Sequence, residues 1–307
     1  MLRELLDALA AQTLGDFEVV VVDDGSSDGS GDEAGAAAAN GLRVRVERTS
    51  GVGAVEARRR GVTVSRGTFL AFTDSDCLPD PAWLAAGVAV LEGGADMAAG
   101  STIPVRPVQA LERSVYEPVD DGLYATCNVF YRREAYERAG GFTDAGRRLG
   151  FRAGPWTKGL GFGEDTLLAW RVRREGRGAF VPGAVVRHAV MRPSVREMIR
   201  RAWLAGAFPA LVRDVPELRK MLLRGHIWLG TRRLPVYTLM VCAAFPWRAR
   251  LAPAAGAWWL LARIFQLWRS PGSARRRLAA VPVEMTIDAV TATSLLAGSV
   301  RARTPVL

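Results

Sequence analysis

The 307-residue chain is 49% hydrophobic, which supports a sizeable core and argues against global disorder. Cys77, Cys127 and Cys242 stand far apart with no CxxC spacing, which argues against a disulfide framework or zinc knuckle and fits a reducing compartment. The formal net charge is +10, with only Lys158 and Lys220 as lysines. Such charge admits nucleic acid, anionic lipid or phosphorylated substrates. The basic residues are diffuse and carry no nucleic-acid recognition motif, so nucleic acid is set aside.

Leu2, Leu5, Leu6 and Leu9 recur at helical spacing, so residues 1–14 read as an amphipathic helix carrying acids rather than as a secretory leader. "FEVVVV" (17–22) is an apolar run of strand length, of the kind buried on both faces of a parallel sheet. A Gly/Ala loop is expected at 29–41. "LRVRVER" (42–48) alternates with period two, placing Leu42, Val44 and Val46 on one face. Residues 53–64 read as a helix, "TFLAFTD" (68–74) as a second buried strand, and Pro81 as the start of another helix. Further strands are expected at 96–103 and 124–131. This alternation predicts an α/β domain with a mostly parallel sheet, whose ligands sit at the carboxyl ends of the strands.

Beyond about residue 190 the texture changes. Apolar stretches 234–245 and 251–262 flank Pro246, Trp247, Arg248 and Arg250. Each is shorter than the ~20 apolar residues that a spanning helix needs. Trp258, Trp259 and Trp268 lie near arginines, a combination that favours the headgroup level. An interfacial or re-entrant helical pair is therefore expected, against the plainer reading of a helical subdomain packed on an enzyme core. The expected division is 1–190 for the α/β domain and 191–307 for a helical, membrane-associated region.

The chemistry concentrates in acids at strand and helix ends. Asp23 and Asp24 open "DDGSSD", whose Gly and Ser read as a turn; the turn alone does not account for two carboxylates ending an apolar strand. Asp74-Ser75-Asp76 follows the second strand. Acid-x-acid is a weak motif by itself, but two hard oxygen ligands at an open rim suit Mg²⁺ or Mn²⁺ bound to substrate phosphates. In "GFGEDTLLAWRVRREG" (161–176) the acids Glu164 and Asp165 complement a helix N-terminus, and a carboxylate there also suits a general base. His188, after "AFVPGAVVRH", is either a packed histidine or a metal or phosphate contact. "GVGAVEARRRG" (51–61) lacks the third glycine of a dinucleotide fingerprint, and its arginines face phosphates or solvent.

Six stretches taken together, "ALAAQTLGDFEVVVVDDGSSDGS", "GVGAVEARRRGV", "GTFLAFTDSDCLPDPAWL", "CNVFYRREAYERAGGF", "GFGEDTLLAWRVRREG" and "FVPGAVVRH", resemble the inverting family 2 glycosyltransferases with the GT-A fold. They span about residues 8–190. The resemblance implies a GT-A domain that transfers a sugar from a nucleotide-diphosphate sugar to an acceptor hydroxyl with inversion. The donor would be held by Asp24, Arg58, Asp74 and Ser75, the metal by Asp76 and His188, and the acceptor deprotonated by Asp165. Gly140, Gly141 and Phe142 would shape the acceptor side. Arg59 stands where the family often has Asn, which leaves that contact open. The family also opens with a strand before its first helix, in the middle of the sheet. Here the sequence starts at the helix, so a start assigned too late and a vacancy beside residues 17–22 are expected. With the basic, tryptophan-bearing second half, the expected setting is the cytoplasmic face of the cell membrane and a lipid-linked or cell-envelope glycan acceptor. A degenerate, membrane-associated nucleotide-sugar-binding protein is the rival reading. A nucleotidyltransferase would show a glycine-rich Lys/Arg loop after the first strand, and none is present.

Overall fold

A computed structural model describes residues 1–37, 42–146, 149 and 161–307. They fall into two compact units, described separately. The first is built from Met1–Val105, Val115–Arg148 and Gly159–Ala189; the second is built mainly from Arg106–Ser114 and Val190–Leu307.

The first unit opens with α1 (Leu2–Ala10), β1 (Val19–Asp23), α2 (Ser30–Ala37), β2 (Val44–Arg48), α3 (Ala54–Val64) and β3 (Phe69–Phe72). It continues with β4 (Cys77–Pro79), α4 (Trp83–Glu92), β5 (Met97–Pro104), β6 (Val129–Arg132), α5 (Arg133–Arg138), α6 (Glu164–Glu175) and β7 (Gly178–His188). The expected Gly/Ala loop is largely helix α2, with Ala34 fully buried; positions 38–41 lie outside the described residues.

Two separate sheets form: β1 with β2, and a five-stranded sheet in the order β3-β6-β5-β7-β4. The sheet is mixed rather than mostly parallel. Among the described residues, parallel pairing is confined to β1/β2 and β5/β7, whereas β3/β6, β5/β6 and β4/β7 are antiparallel. The strands expected to be buried are also less enclosed than their apolar runs suggest. All five residues of β1 are half-buried, because β1 pairs along one edge only among the described residues. In β3 only Leu70 is buried, because β3 is the edge strand of its sheet.

Alternation along β6 sets the two faces of the larger sheet. Phe130 joins a core with Leu5 and Leu9 of α1 and Trp83 and Leu91 of α4. Tyr131 points the other way, 6.1 Å by ring centroid from both Phe72 and Tyr136. Each such large side chain contributes about 1.5–3 kcal/mol on burial. Between β5 and β7 the register shifts at Gly100/Ser101. The fully buried side of that irregularity is held by Asn128, which donates to the carbonyls of Ser101 and Ala184, both at 3.0 Å, and accepts from Trp83 Nε1 at 2.9 Å.

The second unit is helical: α7 (Val195–Leu204), α8 (Phe208–Asp214), α9 (Leu218–Met221), α10 (Leu234–Ala244), α11 (Ala252–Trp268) and α12 (Ala274–Ala302). The last is 29 residues long and was not anticipated, since its Ser, Thr, Gly and Arg content blurs any apolar period. By length and composition it is the one helix among the described residues that could cross a membrane. Its buried positions include Asp288, which pairs with Arg263 Nε at 2.8 Å and accepts from Trp259 Nε1 at 3.3 Å. Trp259, expected at an interface, is thus turned inward.

Gly298 lets α12 cross the Ala205–Ala207 turn closely: a Cβ there would lie 2.1 Å from the Gly206 carbonyl oxygen. Gly298→Val should force the two apart and lower stability by about 1–3 kcal/mol. A thermal melt with an unchanged midpoint would contradict that close approach.

Candidate active site

Asp74, Ser75 and Asp76 form the turn between β3 and β4. The β4/β7 register sets Cys77 opposite His188, and Asp76 accepts through its backbone carbonyl from Ala189 N–H at 2.8 Å. This local pairing, across more than a hundred residues of sequence, brings Asp76 Oδ2 within 3.5 Å of His188 Nε2. His188 Nδ1 lies 2.8 Å from the Ala189 carbonyl. A carbonyl only accepts, so Nδ1 donates to it, which fixes the ring with Nε2 toward Asp76.

Ligand atoms of Asp76, Cys77 and His188 all lie within 4.8 Å of one another. The carboxylate suits Mn²⁺ or Mg²⁺, the imidazole nitrogen favours Mn²⁺ of the two, and such a pair leaves positions for phosphate oxygens and water. Cys77 is fully buried, with Sγ 3.9 Å from Asp76 Oδ1, and its soft sulfur is not a donor that such an ion requires.

Arg58, on α3, joins two acidic clusters that are distant in sequence. Its guanidinium lies 3.6 Å from Asp74 Oδ1 and 3.4 Å from Glu164 Oε1, and sits over the Phe142 ring at 5.8 Å from the centroid. Glu164 is buried in the first turn of α6. The chain reaches it through Gly161, where a Cβ would meet Glu164 Oε1 at 2.3 Å, and through Gly163 at φ +75°. Lost hydration pushes the Asp74 carboxyl up; Arg58 opposes this and Asp76 adds to it.

Asp165 follows Glu164, and its Oδ1 accepts from Thr166 N–H at 2.8 Å. Burial, then the Glu164 charge, push its carboxyl up to about 7, against the Thr166 hydrogen bond and Arg58. A carboxylate that titrates near neutrality and keeps partial exposure is suited to take a proton.

The structure thus brings Arg58, Asp74, Asp76, His188 and Asp165 into one run of neighbouring polar side chains. Ser75 is exposed on its turn. Asp24 is engaged differently. Its carboxylate accepts from Thr49 Oγ1, Val52 N–H and Gly53 N–H, each at 2.7 Å, and so clamps the loop that leads into α3. The Thr49 hydroxyl first, then these amides, hold its pKa below the ordinary value, with burial opposing. Arg171 donates to the Gly141 carbonyl at 2.6 Å, which fixes the glycine pair.

Glu164, expected as a helix-terminus acid or a base beside Asp165, is Arg58's buried partner. Two further groups escaped the sequence reading. Glu117 accepts from Ala125 N–H at 3.2 Å, and its carboxyl is pushed up to about 8, by burial first and then by the charges of Asp121 and Asp165. Tyr131 is fully buried with no hydrogen-bond partner for its hydroxyl among the described residues, and burial and then Asp165 push that hydroxyl well above its ordinary value. An acid in "YEPVDDG" and a tyrosine in an apolar strand carry no motif, so only their three-dimensional setting reveals them.

Residues 1–151 match the family described as Glycosyl transferase family 2. The chain is 30% identical over 156 residues to glycosyltransferase AglE of Haloferax volcanii, covering 46% of this chain and 51% of that protein. It is 43% identical over 77 residues to a PGL/p-HBAD biosynthesis glycosyltransferase of Mycobacterium tuberculosis, covering 25% of this chain and 30% of that one. The chain therefore spans about half the length of the first relative and less of the second. Among solved structures it resembles the mannosyltransferase PcManGT from Pyrobaculum calidifontis in complex with GDP-Man and Mn²⁺. That match has a TM-score of 0.54 at 20% identity, over 98% of this chain and 83% of that one. It also resembles S. aureus TarS 1-349 in complex with UDP-GlcNAc, with a TM-score of 0.52 at 16% identity, over 99% and 88% of the two chains. At these identities the structural likeness speaks for the fold.

Proposed function

We infer, from the match of residues 1–151 to glycosyl transferase family 2, that the protein transfers a sugar from a nucleotide-diphosphate sugar to an acceptor hydroxyl with inversion at the anomeric carbon. The observation that carries this reading is Arg58, which ties the Asp74-Ser75-Asp76 turn to the Glu164-Asp165 helix start. In this reading a donor rim and a base are thereby side by side.

In this reading Asp165 takes the acceptor hydroxyl proton as the new C–O bond forms, and the bond from the anomeric carbon to the diphosphate oxygen breaks. Both electrons of that bond leave with the nucleoside diphosphate. A single displacement inverts the centre and needs no protein nucleophile. Asp76 and His188 would hold a divalent ion, which when bound stabilises the negative charge growing on the diphosphate. Asp74, Ser75 and Arg58 line the donor side. Asp24, through its clamp on the loop before α3, shapes the rim on which the nucleotide lies.

The setting we propose is the cytoplasmic face of the cell membrane, with a lipid-linked or cell-envelope glycan as acceptor. All three cysteines are buried and free, which suits a reducing compartment. Trp258, Leu261, Phe265 and Trp268 recur at helical spacing on α11 and are 48%, 63%, 62% and 53% exposed. Arg269 lies over Phe265 at 4.6 Å and Arg277 over Trp268 at 5.6 Å. An apolar face edged by arginines favours shallow attachment to anionic lipid. We read attachment as peripheral, since α12 buries the Asp288 ion pair. The break between the β1/β2 pair and the larger sheet favours a second reading, a donor-binding protein without turnover.

Calorimetry of UDP binding with Mn²⁺, followed by transfer assays across nucleotide sugars, tests both. Asp76→Ala should weaken Mn²⁺-dependent UDP binding by roughly 10–100-fold. An unchanged Mn²⁺ dependence would remove Asp76 as a ligand. Binding without transfer from any donor would favour the second reading.

A further inference from the structure

The second unit contains a cavity of about 300 Å³ that neither the motifs nor the transfer chemistry uses. Four arginines line it: Arg113, Arg201, Arg232 and Arg233. Three acids, Glu112, Glu284 and Asp288, share its wall. Each acid is already engaged. Glu112 pairs with Arg106 at 2.8 Å and Arg276 at 2.9 Å; Glu284 pairs with Arg232; Asp288 pairs with Arg263 at 2.8 Å and Arg232 at 3.3 Å. Arg201 is taken by Glu197 at 2.8 Å. Arg113 and Arg233 have no acid within ion-pair reach among the described residues, so the wall is cationic on balance.

Both of these guanidinium groups are under electrostatic pressure. Lost hydration, then the Arg201 charge, hold Arg113 below its ordinary pKa. Lost hydration likewise lowers Arg233, with Asp288 opposing and Arg232 adding. Arg233 Nη1 donates to the Leu229 carbonyl at 3.3 Å, while its Nε is buried with no partner among the described residues. A cluster of fork-shaped donors, partly desolvated and short of acids, matches a phosphate group, which offers several acceptor oxygens at once.

A second cavity of about 380 Å³ runs along the same two helices and is almost wholly apolar. On α7, Met198, Arg201 and Ala202 face the cationic cavity, whereas Ile199, Trp203 and Arg200, whose guanidinium pairs with Glu197 at 3.0 Å, line the apolar one. On α12, Glu284, Ile287 and Asp288 face the first and Val290 the second. Charged and hydrocarbon-lined spaces on adjacent faces of one helix pair are complementary to a ligand with a phosphate at one end and an apolar chain at the other. We propose that the α7–α12 seam is a binding site for a phosphorylated lipid, its phosphate held by Arg113 and Arg233 and its chain laid against Ile199, Trp203 and Val290.

This deepens the membrane-surface reading, and the test keeps the two apart. The full chain is co-sedimented with vesicles of phosphatidylcholine alone or with a minor fraction of phosphatidic acid. Arg113→Gln/Arg233→Gln should weaken binding to the phosphatidic acid vesicles by roughly tenfold or more and barely alter binding to phosphatidylcholine. Arg301→Gln/Arg303→Gln removes equal charge from an exposed helix end and should have a much smaller effect. Equal losses in the two double variants, or no loss in the first, overturn the site. Vesicle binding indifferent to phosphatidic acid and to these arginines leaves the α11 surface standing and overturns the seam. Should the first variant fail to fold, phenylglyoxal labelling of the unmodified protein serves instead. Short-chain phosphatidic acid should protect Arg113 and Arg233, and short-chain phosphatidylcholine should not. Protection by inorganic phosphate as strong as by the lipid overturns the lipid assignment, and no protection by either overturns the site.

Discussion

Asp165→Asn should lower sugar transfer by roughly 10²–10⁴-fold, the span associated with loss of a positioned general base, while UDP binding with Mn²⁺ stays near that of the parent. Asparagine is the informative replacement because its side-chain oxygen can still accept from Thr166 N–H, as Asp165 Oδ1 does at 2.8 Å. The first turn of α6 and its buried Glu164–Arg58 pair are then undisturbed. What is removed is the ability to take a proton. Retained turnover would remove Asp165 as the base.

The pH dependence gives an independent check with a definite sign. The Asp165 carboxyl is pushed up to about 7, first by burial and then by Glu164. A base works when deprotonated, so transfer should rise as pH climbs through about 7 and the Asn variant should lack that limb. Stability runs the other way. An unfolded aspartate releases its proton near pH ~3.9, while the folded one keeps it until about 7. Between those values the folded state holds the extra proton, so stability falls as pH rises through the window. Asp165→Asn does not incur that loss, so its melting midpoint should exceed the parent's above neutral pH and converge with it in acid. A variant that is slower yet more stable at neutral pH is the signature of a charge kept ionisable for chemistry.

Much of this site could be read from the sequence because it lies where local patterns end. Apolar runs stop at the Asp23-Asp24 pair and at Asp74, a helix pattern starts at Glu164, and short side chains and glycines mark the turns between. Period two in 42–48 and period 3.6 in 2–9 are properties of the chain itself, and both elements formed as expected. What remained hidden depends on partners distant in sequence. An apolar run does not encode strand direction, so the antiparallel pairings of β6 and β4 could not be separated from parallel ones. Nor does it say how many neighbours a strand has, which is why β1 and β3 are more exposed than their valines and phenylalanines suggest. Arg58 and Glu164 lie 106 positions apart, and neither position signals the other. Helix α2 was missed for the opposite reason: Ser, Gly and Asp read as turn residues, but Asp32 and Glu33 complement its N-terminus and Ala34 anchors it in the core.

The second large effect is expected at Asn128, which no motif marks as important. Its side chain is 2% exposed and fills three hydrogen-bonding roles at the point where β5 and β7 slip register. The Gly100 backbone is so close to β7 that a Cβ would lie 2.0 Å from the Ala184 carbonyl oxygen, which leaves no room for water to take over. Asn128→Leu would strand the Ser101 and Ala184 carbonyls and the Trp83 indole N–H, at about 1–3 kcal/mol for each unsatisfied group. Summed, this approaches the ~5–15 kcal/mol that stabilises a whole domain. Urea titration should therefore show the first unit unfolding at much lower denaturant, or the variant should fail to express in soluble form. A midpoint within error of the parent would refute the role. The consequence for function follows from register. After the slip, Ser101 pairs with Val185 and Pro104 with His188, so this irregularity determines where the end of β7 falls. The milder Asn128→Ser, which can still donate one hydrogen bond, should leave a folded protein in which His188 is less well fixed against Asp76. Its Mn²⁺-dependent UDP binding should then weaken more than its metal-free binding, a split that general loss of stability would not produce.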